Sequence, residues 1–142
     1  MISKLYKASI AGVKVDVIAR SICCLAPGIE GQSENITVHR IVDRYLEHAR
    51  IFIFHNDGDS EYYMGSADWM NRNLHNRIEV VFPLYNPSLN REIDHIIQLQ
   101  LADHRKGCVL NASLENIFYP EKERAASISS QQATYEFVKA NA

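Results

Sequence analysis

Apolar residues fall at helical spacing from Met1 to Ala11, where Ile2, Leu5, Tyr6 and Ile10 lie on or near one face, and Gly12 ends the pattern. Val13 to Ala19 then alternates as VKVDVIA, which predicts a strand with its valines on one side. Helix, glycine and strand in that order form the unit of an α/β layer. Pro27, Gly28 and Gly31 interrupt the periodicity, so Ala26 to Asn35 is predicted as a loop. Ile36 to Val42 is predicted as the next strand, and IVDRYLEH as a return through a short helical segment.

The stretch from Ile51 to Phe82 alternates with a different period. Ile51 to Phe54 is a β-branched and aromatic run, Asn56-Asp57-Gly58-Asp59 is a strong turn signal, and Glu61 to Met64 predicts a paired strand. Gly65 to Trp69 reads as a loop, and Arg77 to Phe82 alternates towards a third strand. Pro83 and Pro87 mark its exit. Ser88 then predicts the cap of a helix running to about Asp103, with Glu92 and Asp94 near its start and Ile93, Ile96, Ile97, Leu99 and Leu101 supplying an apolar face. Lys106 to Tyr119 is irregular with room for one or two short strands. Ser127 to Gln132 is polar, and Gln131 to Lys139 predicts a closing helix.

The pattern thus predicts one domain over residues 1–142, an α/β fold with a mixed sheet flanked by helices. Composition changes this little. Hydrophobic residues make up 46% and charged residues 23%, which suits a folded core and excludes disorder for most of the chain. A net charge of −2 gives no general attraction for nucleic acid, so a polyanion would need a local basic cluster. No apolar run is long enough to span a membrane, and no signal peptide is visible, so an intracellular location is expected. Cys23, Cys24 and Cys108 are an odd set without a secretory signal, and all three are read as small buried hydrophobes. The six histidines show no metal-ligand spacing, so no metal site is predicted within the chain. The Gly28 to Asn35 run lacks the Lys-Ser or Lys-Thr ending of a P-loop and reads as a plain surface loop.

Candidate chemistry centres on His48-Ala49-Arg50, just ahead of the first hairpin strand. At spacing two on an extended backbone the two side chains share a face. An imidazole can attack phosphorus or move a proton, and a guanidinium can fork onto phosphate oxygens. On spacing alone the pair equally suits a solvated strand edge. The wider order, His-x-Arg, hairpin, Gly-Ser, then Arg77-x-Glu79, points to phosphoryl chemistry.

That order resembles one half of the phospholipase D-type phosphotransfer site, where a His-x-Lys pair ends a strand and a Gly-Ser-x-Asn loop follows the next. Here Arg50 stands for the Lys and Asp68 for the Asn, and the usual later Asp is missing. AGVKVDVIARSICCL, GIEGQSENI, IVDRYLEHARIF and SADWMNRNL, in collinear order, resemble the C-terminal domain of polyphosphate kinase. The resemblance implies a phospholipase D-like half-site domain. It implies an enzyme that reversibly moves the γ-phosphate of ATP onto inorganic polyphosphate with Mg²⁺, through a phosphohistidine on a preceding domain.

On the same basis His48 matches the family's second histidine, at the ATP site, as a proton donor or acceptor. Arg20 falls on the nucleotide-phosphate-binding arginine, with Ser21 where the family block has Gly. Arg50 would offset charge on the phosphate, and Ser66, Asp68, Arg72 and Asn73 would support the site. ATP or ADP, polyphosphate and the remaining domains of the same polypeptide are the implied partners. The Mg²⁺ ligands are expected outside this chain. A homo-oligomer is expected for the full-length protein, in the cytoplasm or at the inner face of its membrane. Alone, this half-site is expected to be inactive. Two other readings stand beside it: a phosphodiesterase or nuclease built by dimerising two half-sites, against which the missing Lys and Asp argue, and a non-enzymatic module that binds ATP or polyphosphate.

Overall fold

The computed structural model describes residues 1–141. Its elements are α1 (Ile2–Ile10), β1 (Val15–Ala19), β2 (Ile36–Ile41), β3 (Ile51–Phe54), β4 (Glu61–Gly65), α2 (Asn71–Asn76), β5 (Val81–Pro83), α3 (Pro87–Leu101), β6 (Gly107–Leu110), β7 (Asn116–Phe118), α4 (Glu121–Ala126) and α5 (Ser130–Asn141). Its contacts group into two compact units, residues 1–47 with 96–142 and residues 48–95.

The first unit holds a four-stranded mixed sheet in the order β1-β2-β6-β7. β1 runs parallel to β2, with Val15 opposite Ile36, and the other pairings are antiparallel. Leu25, Ile36, Val38 and Leu110 form its core, and Ile2, Leu5, Tyr6, Val15, Val17 and Ala19 pack against them. The predicted faces of α1 and β1 therefore meet the core, with one correction. Ile10 is 63% exposed, and the fourth inward position of α1 is Ser9. Residues 2, 5, 6 and 9 sit one above another on a helix, and Ser9 is satisfied by Asn35, whose backbone N–H donates to Ser9 Oγ (3.2 Å) and whose Nδ2 donates to the Ser9 carbonyl (2.9 Å).

The second unit is built on an antiparallel sheet, β3-β4-β5, with Ile51 opposite Met64 and Gly65 opposite Val81. The hairpin turn lies at the predicted Asn56-Asp57-Gly58, all three at positive φ. Tyr62 Oη donates to Asp94 (2.6 Å), which raises the tyrosine pKa and ties β4 to the first half of α3.

Four further expectations are corrected. Residues 42–50 form no helix, because tertiary contacts described below take over their backbone groups. Asn71–Asn76 is a helix, and of the predicted strand Arg77 to Phe82 only Val81 and Phe82 join the sheet, in β5. The cap of α3 is Asn86, whose side-chain oxygen accepts from the Ser88 N–H (2.9 Å) ahead of Pro87. Among the cysteines only Cys108 is buried, with its thiol pKa raised by burial, whereas Cys23 is half-buried and Cys24 exposed. The expected loop at 26–35 is a closed one: Ser33 Oγ donates to the Ala26 carbonyl (2.7 Å) and accepts from the Ile29 N–H (3.1 Å), and the Gly28, Gln32 and Ser33 amides bond within the loop. No helix among the described residues is long and apolar enough to cross a membrane.

Candidate functional site

In the second unit β3 carries the chain away from His48 and β4 returns it to the Gly-Ser loop, so the His-x-Arg pair and Asp68 come to the same end of one hairpin. Arg50 is the hub. Its Nε and Nη2 lie 3.1 and 3.0 Å from Asp68 Oδ1, and its Nη1 donates to the His48 carbonyl at 2.7 Å. Nη1 also lies 2.9 Å from Nδ1 and 3.1 Å from Nε2 of the His48 ring. A neutral imidazole has only one ring nitrogen free to accept, and a single donor cannot align with both nitrogens, so the guanidinium is best described as lying against the imidazole. The Arg50 and Asp68 side chains are mostly withdrawn from water, at 15% and 23% exposure, while His48 is exposed. An exposed imidazole on a fixed cation is equipped to exchange a proton with a ligand.

A second polar group lies in the same unit. Ser66 Oγ donates to Glu79 and accepts from the Val80 N–H, the Ser66 N–H donates to the Val80 carbonyl (2.9 Å), and Asn73 Nδ2 donates to Glu79 Oε1 (2.7 Å). The hydrogen bonds from Ser66 and Asn73, helped by the Arg77 and Arg50 charges, hold the Glu79 carboxyl below its ordinary range. Gly65 permits this arrangement, since a Cβ there would lie 2.7 Å from the Val80 carbonyl oxygen. Trp69 stacks on Phe52 (centroids 5.2 Å apart, planes 9° apart).

The structure thus brings His48, Arg50 and Asp68 into one cluster and Ser66 and Asn73 into a second around Glu79. Arg72 is exposed on α2, outside both. Arg20 lies in the first unit, where its Nη1 donates to the Glu47 carbonyl (3.0 Å) beside a cavity of about 250 Å³ lined by Arg20 and residues 41–47. Sequence reasoning placed Glu79 in the motif order without giving it a role. It missed Glu47 and Gln131, which shape the cavity wall through contacts distant in sequence and leave no local signal.

The model of polyphosphate kinase C-terminal domain 2 matches residues 1–131. The chain belongs to that family. It is 45% identical over 139 residues to the polyphosphate kinase of Vibrio parahaemolyticus, an alignment covering 98% of this chain and 20% of that protein. Over 106 residues, 75% of this chain and 15% of the relative, it is 54% identical to the polyphosphate kinase of Synechocystis. A solved polyphosphate kinase from Porphyromonas gingivalis superposes on 99% of this chain and 21% of its own, with 48% identity and a TM-score of 0.91. The mixed α/β fold is therefore that of a polyphosphate kinase segment, and the chain spans about a fifth of the length of these relatives.

Among the described residues no three His, Cys, Asp or Glu side chains gather as a metal site would require. The nearest carboxylates of the second unit are committed, Asp68 to Arg50 and Glu79 to Ser66 and Asn73.

Proposed function

We propose that this chain serves a polyphosphate kinase reaction, the reversible transfer of the ATP γ-phosphate to inorganic polyphosphate, with the phosphorylated histidine supplied by a preceding domain. The observation that carries the reading is the His48–Arg50–Asp68 cluster in a chain similar over nearly its whole length to polyphosphate kinases.

In this reading His48 exchanges a proton with the oxygen that leaves or enters the transferred phosphoryl group. Arg50 holds the histidine through its carbonyl and ring, and Asp68 holds Arg50. Arg20 binds a nucleotide phosphate, where a fixed guanidinium offsets the charge on the non-bridging oxygens. Ser66 and Asn73 keep Glu79 ionised and fix the loop that carries Asp68. The chain supplies half of the chemistry and is inactive alone. We infer that any Mg²⁺ takes its ligands from elsewhere, and that the protein works in the cytoplasm.

The test is ATP-dependent polyphosphate synthesis by the chain alone and mixed with the upstream domains of a polyphosphate kinase, each with and without H48A. Synthesis confined to the mixture, and lost by at least about a hundredfold with H48A, is the expected result for an acid–base group. Synthesis by the chain alone overturns the half-site, and synthesis that survives H48A overturns the role of His48.

A further inference from the structure

Residues 42–47 belong to no helix or strand, yet they wall the cavity beside Arg20. Without a ladder, each backbone group of such a segment needs another partner, and each residue has conformational freedom to lose. The partners come from one side chain above all. The Tyr45 N–H donates to Gln131 Oε1 at 2.9 Å, and Gln131 Nε2 donates back to the Tyr45 carbonyl at 2.7 Å. The same Nε2 donates to Glu47 Oε1 at 2.8 Å. Both hydrogens of the amide are therefore used, and flipping it would set oxygen against two acceptors.

The neighbouring contacts extend the clamp along alternate residues. Gln100 Nε2 donates to the other Glu47 oxygen (3.2 Å), and Ser129 Oγ donates to Asp43 (2.6 Å). The clamp ends on Arg20, whose Nη1 donates to the Glu47 carbonyl. A guanidinium on a long flexible stem loses rotamer entropy when fixed, so an anchor already in place favours any ligand it binds.

We propose that Gln131 is a positioning residue for Arg20: by clamping Tyr45 and Glu47 it fixes the cavity wall that holds the guanidinium for a nucleotide phosphate. This rests on the proposed reading of Arg20 as a phosphate ligand. Gln131 itself touches no ligand and acts through Glu47.

The experiment uses the reconstituted mixture with Q131A, Q131E and the double variant E47Q/Q131E, reading the KM for ATP, kcat, and hydrogen exchange of the Tyr45 amide. Q131A is expected to lose Tyr45 protection and to raise the KM for ATP about three- to tenfold, part of what the three lost hydrogen bonds carry because Gln131 acts only through Glu47, with kcat within about twofold. Q131E, which sets a carboxylate against Glu47, is expected to be worse. E47Q/Q131E restores the donor–acceptor match between positions 47 and 131 and is expected to recover part of the loss, which a merely misfolded variant would not do. Lost protection with an unchanged KM overturns the inference, as does retained protection in Q131A or a loss confined to kcat. A wild-type mixture that neither binds ATP nor turns it over removes the reading beneath it as well; an active one unaffected by Q131A removes this inference alone.

Discussion

The Arg50–Asp68 pair should contribute measurably to the stability of the second unit, and the structure sets the size. Two guanidinium nitrogens converge on one carboxylate oxygen at 3.0–3.1 Å, with side-chain exposures of 15% and 23%. At such separations and an effective dielectric of 20 the gross attraction is about 5.5 kcal/mol. Desolvation of both groups and loss of side-chain freedom offset most of that. Fully exposed pairs retain about 0.2–1 kcal/mol, and this more sheltered, doubly bonded one should retain a coupling of about 1–2 kcal/mol. R50A alone should cost more, about 2–3 kcal/mol, because it strands a half-buried carboxylate and also frees the His48 carbonyl.

The assay is a double-mutant cycle of R50A, D68A and their combination by urea denaturation. Trp69 is the sole tryptophan, adjoins Asp68 in the chain and stacks on Phe52 within the same unit, so its fluorescence reports the unit in question. A coupling below about 0.3 kcal/mol, within the usual additivity of independent sites, would refute the reasoning. So would an R50A that costs no more than D68A.

The other structural predictions are simpler. G107A should destabilise the first unit by about 2–4 kcal/mol, because a Cβ there would lie 2.1 Å from the Asp103 carbonyl oxygen, and thermal unfolding measures it. Asp103 has no room to yield: it is buried and bonds the Lys106 and Ser130 amides at the start of β6 and α5. Glu79 has a depressed folded pKa, caused first by Ser66, so its contribution is present above the ordinary glutamate range and lost as the pH falls through the folded value. E79Q should accordingly flatten the acid limb of a stability–pH curve, and an unchanged limb would count against the Ser66–Glu79–Asn73 cluster.

Much of this was legible because local signals and tertiary demands agree. The β-branched run at Ile51–Phe54 and the Asn-Asp-Gly turn need nothing beyond themselves, and they form where the pattern puts them. Where signals fail, the cause is tertiary. The Asn-rich α2 has no side-chain cap and poor helix formers, and it buries Asn73, bonded to Glu79, a contact no periodicity reports. IVDRYLEH contains adequate helix formers, but Gln131, Gln100 and Ser129 bind it from far along the chain. Asn86 and Ser88 are both good caps, and Pro87 decides between them by taking the first helical position. The short α4 carried usable signs, Pro120 before Glu121 and Glu123, and Arg124 in its last turn, which fit the helix dipole.

The same comparison alters the meaning of two of the three departures from the phospholipase D-type pattern. In sequence, Arg for Lys and Asp for Asn look like separate losses at separate positions. In the structure the two substituted residues face each other as an ion pair. A Lys with an Asn carries a net positive charge, whereas Arg50 with Asp68 carries none. Lysine has a single charged nitrogen, whereas the arginine fork reaches Asp68 with two nitrogens and the His48 carbonyl with the third. The exchange thus trades positive charge at His48 for fixed geometry at His48. In the proposed reaction this unit would contribute an oriented imidazole more than an electrostatic clamp, and the charge on the phosphate would fall to Arg20 and to groups outside this chain. In that proposed division Arg20 and His48 would each be held by neighbouring side chains, Arg20 through the Glu47 carbonyl that it bonds and His48 through Arg50.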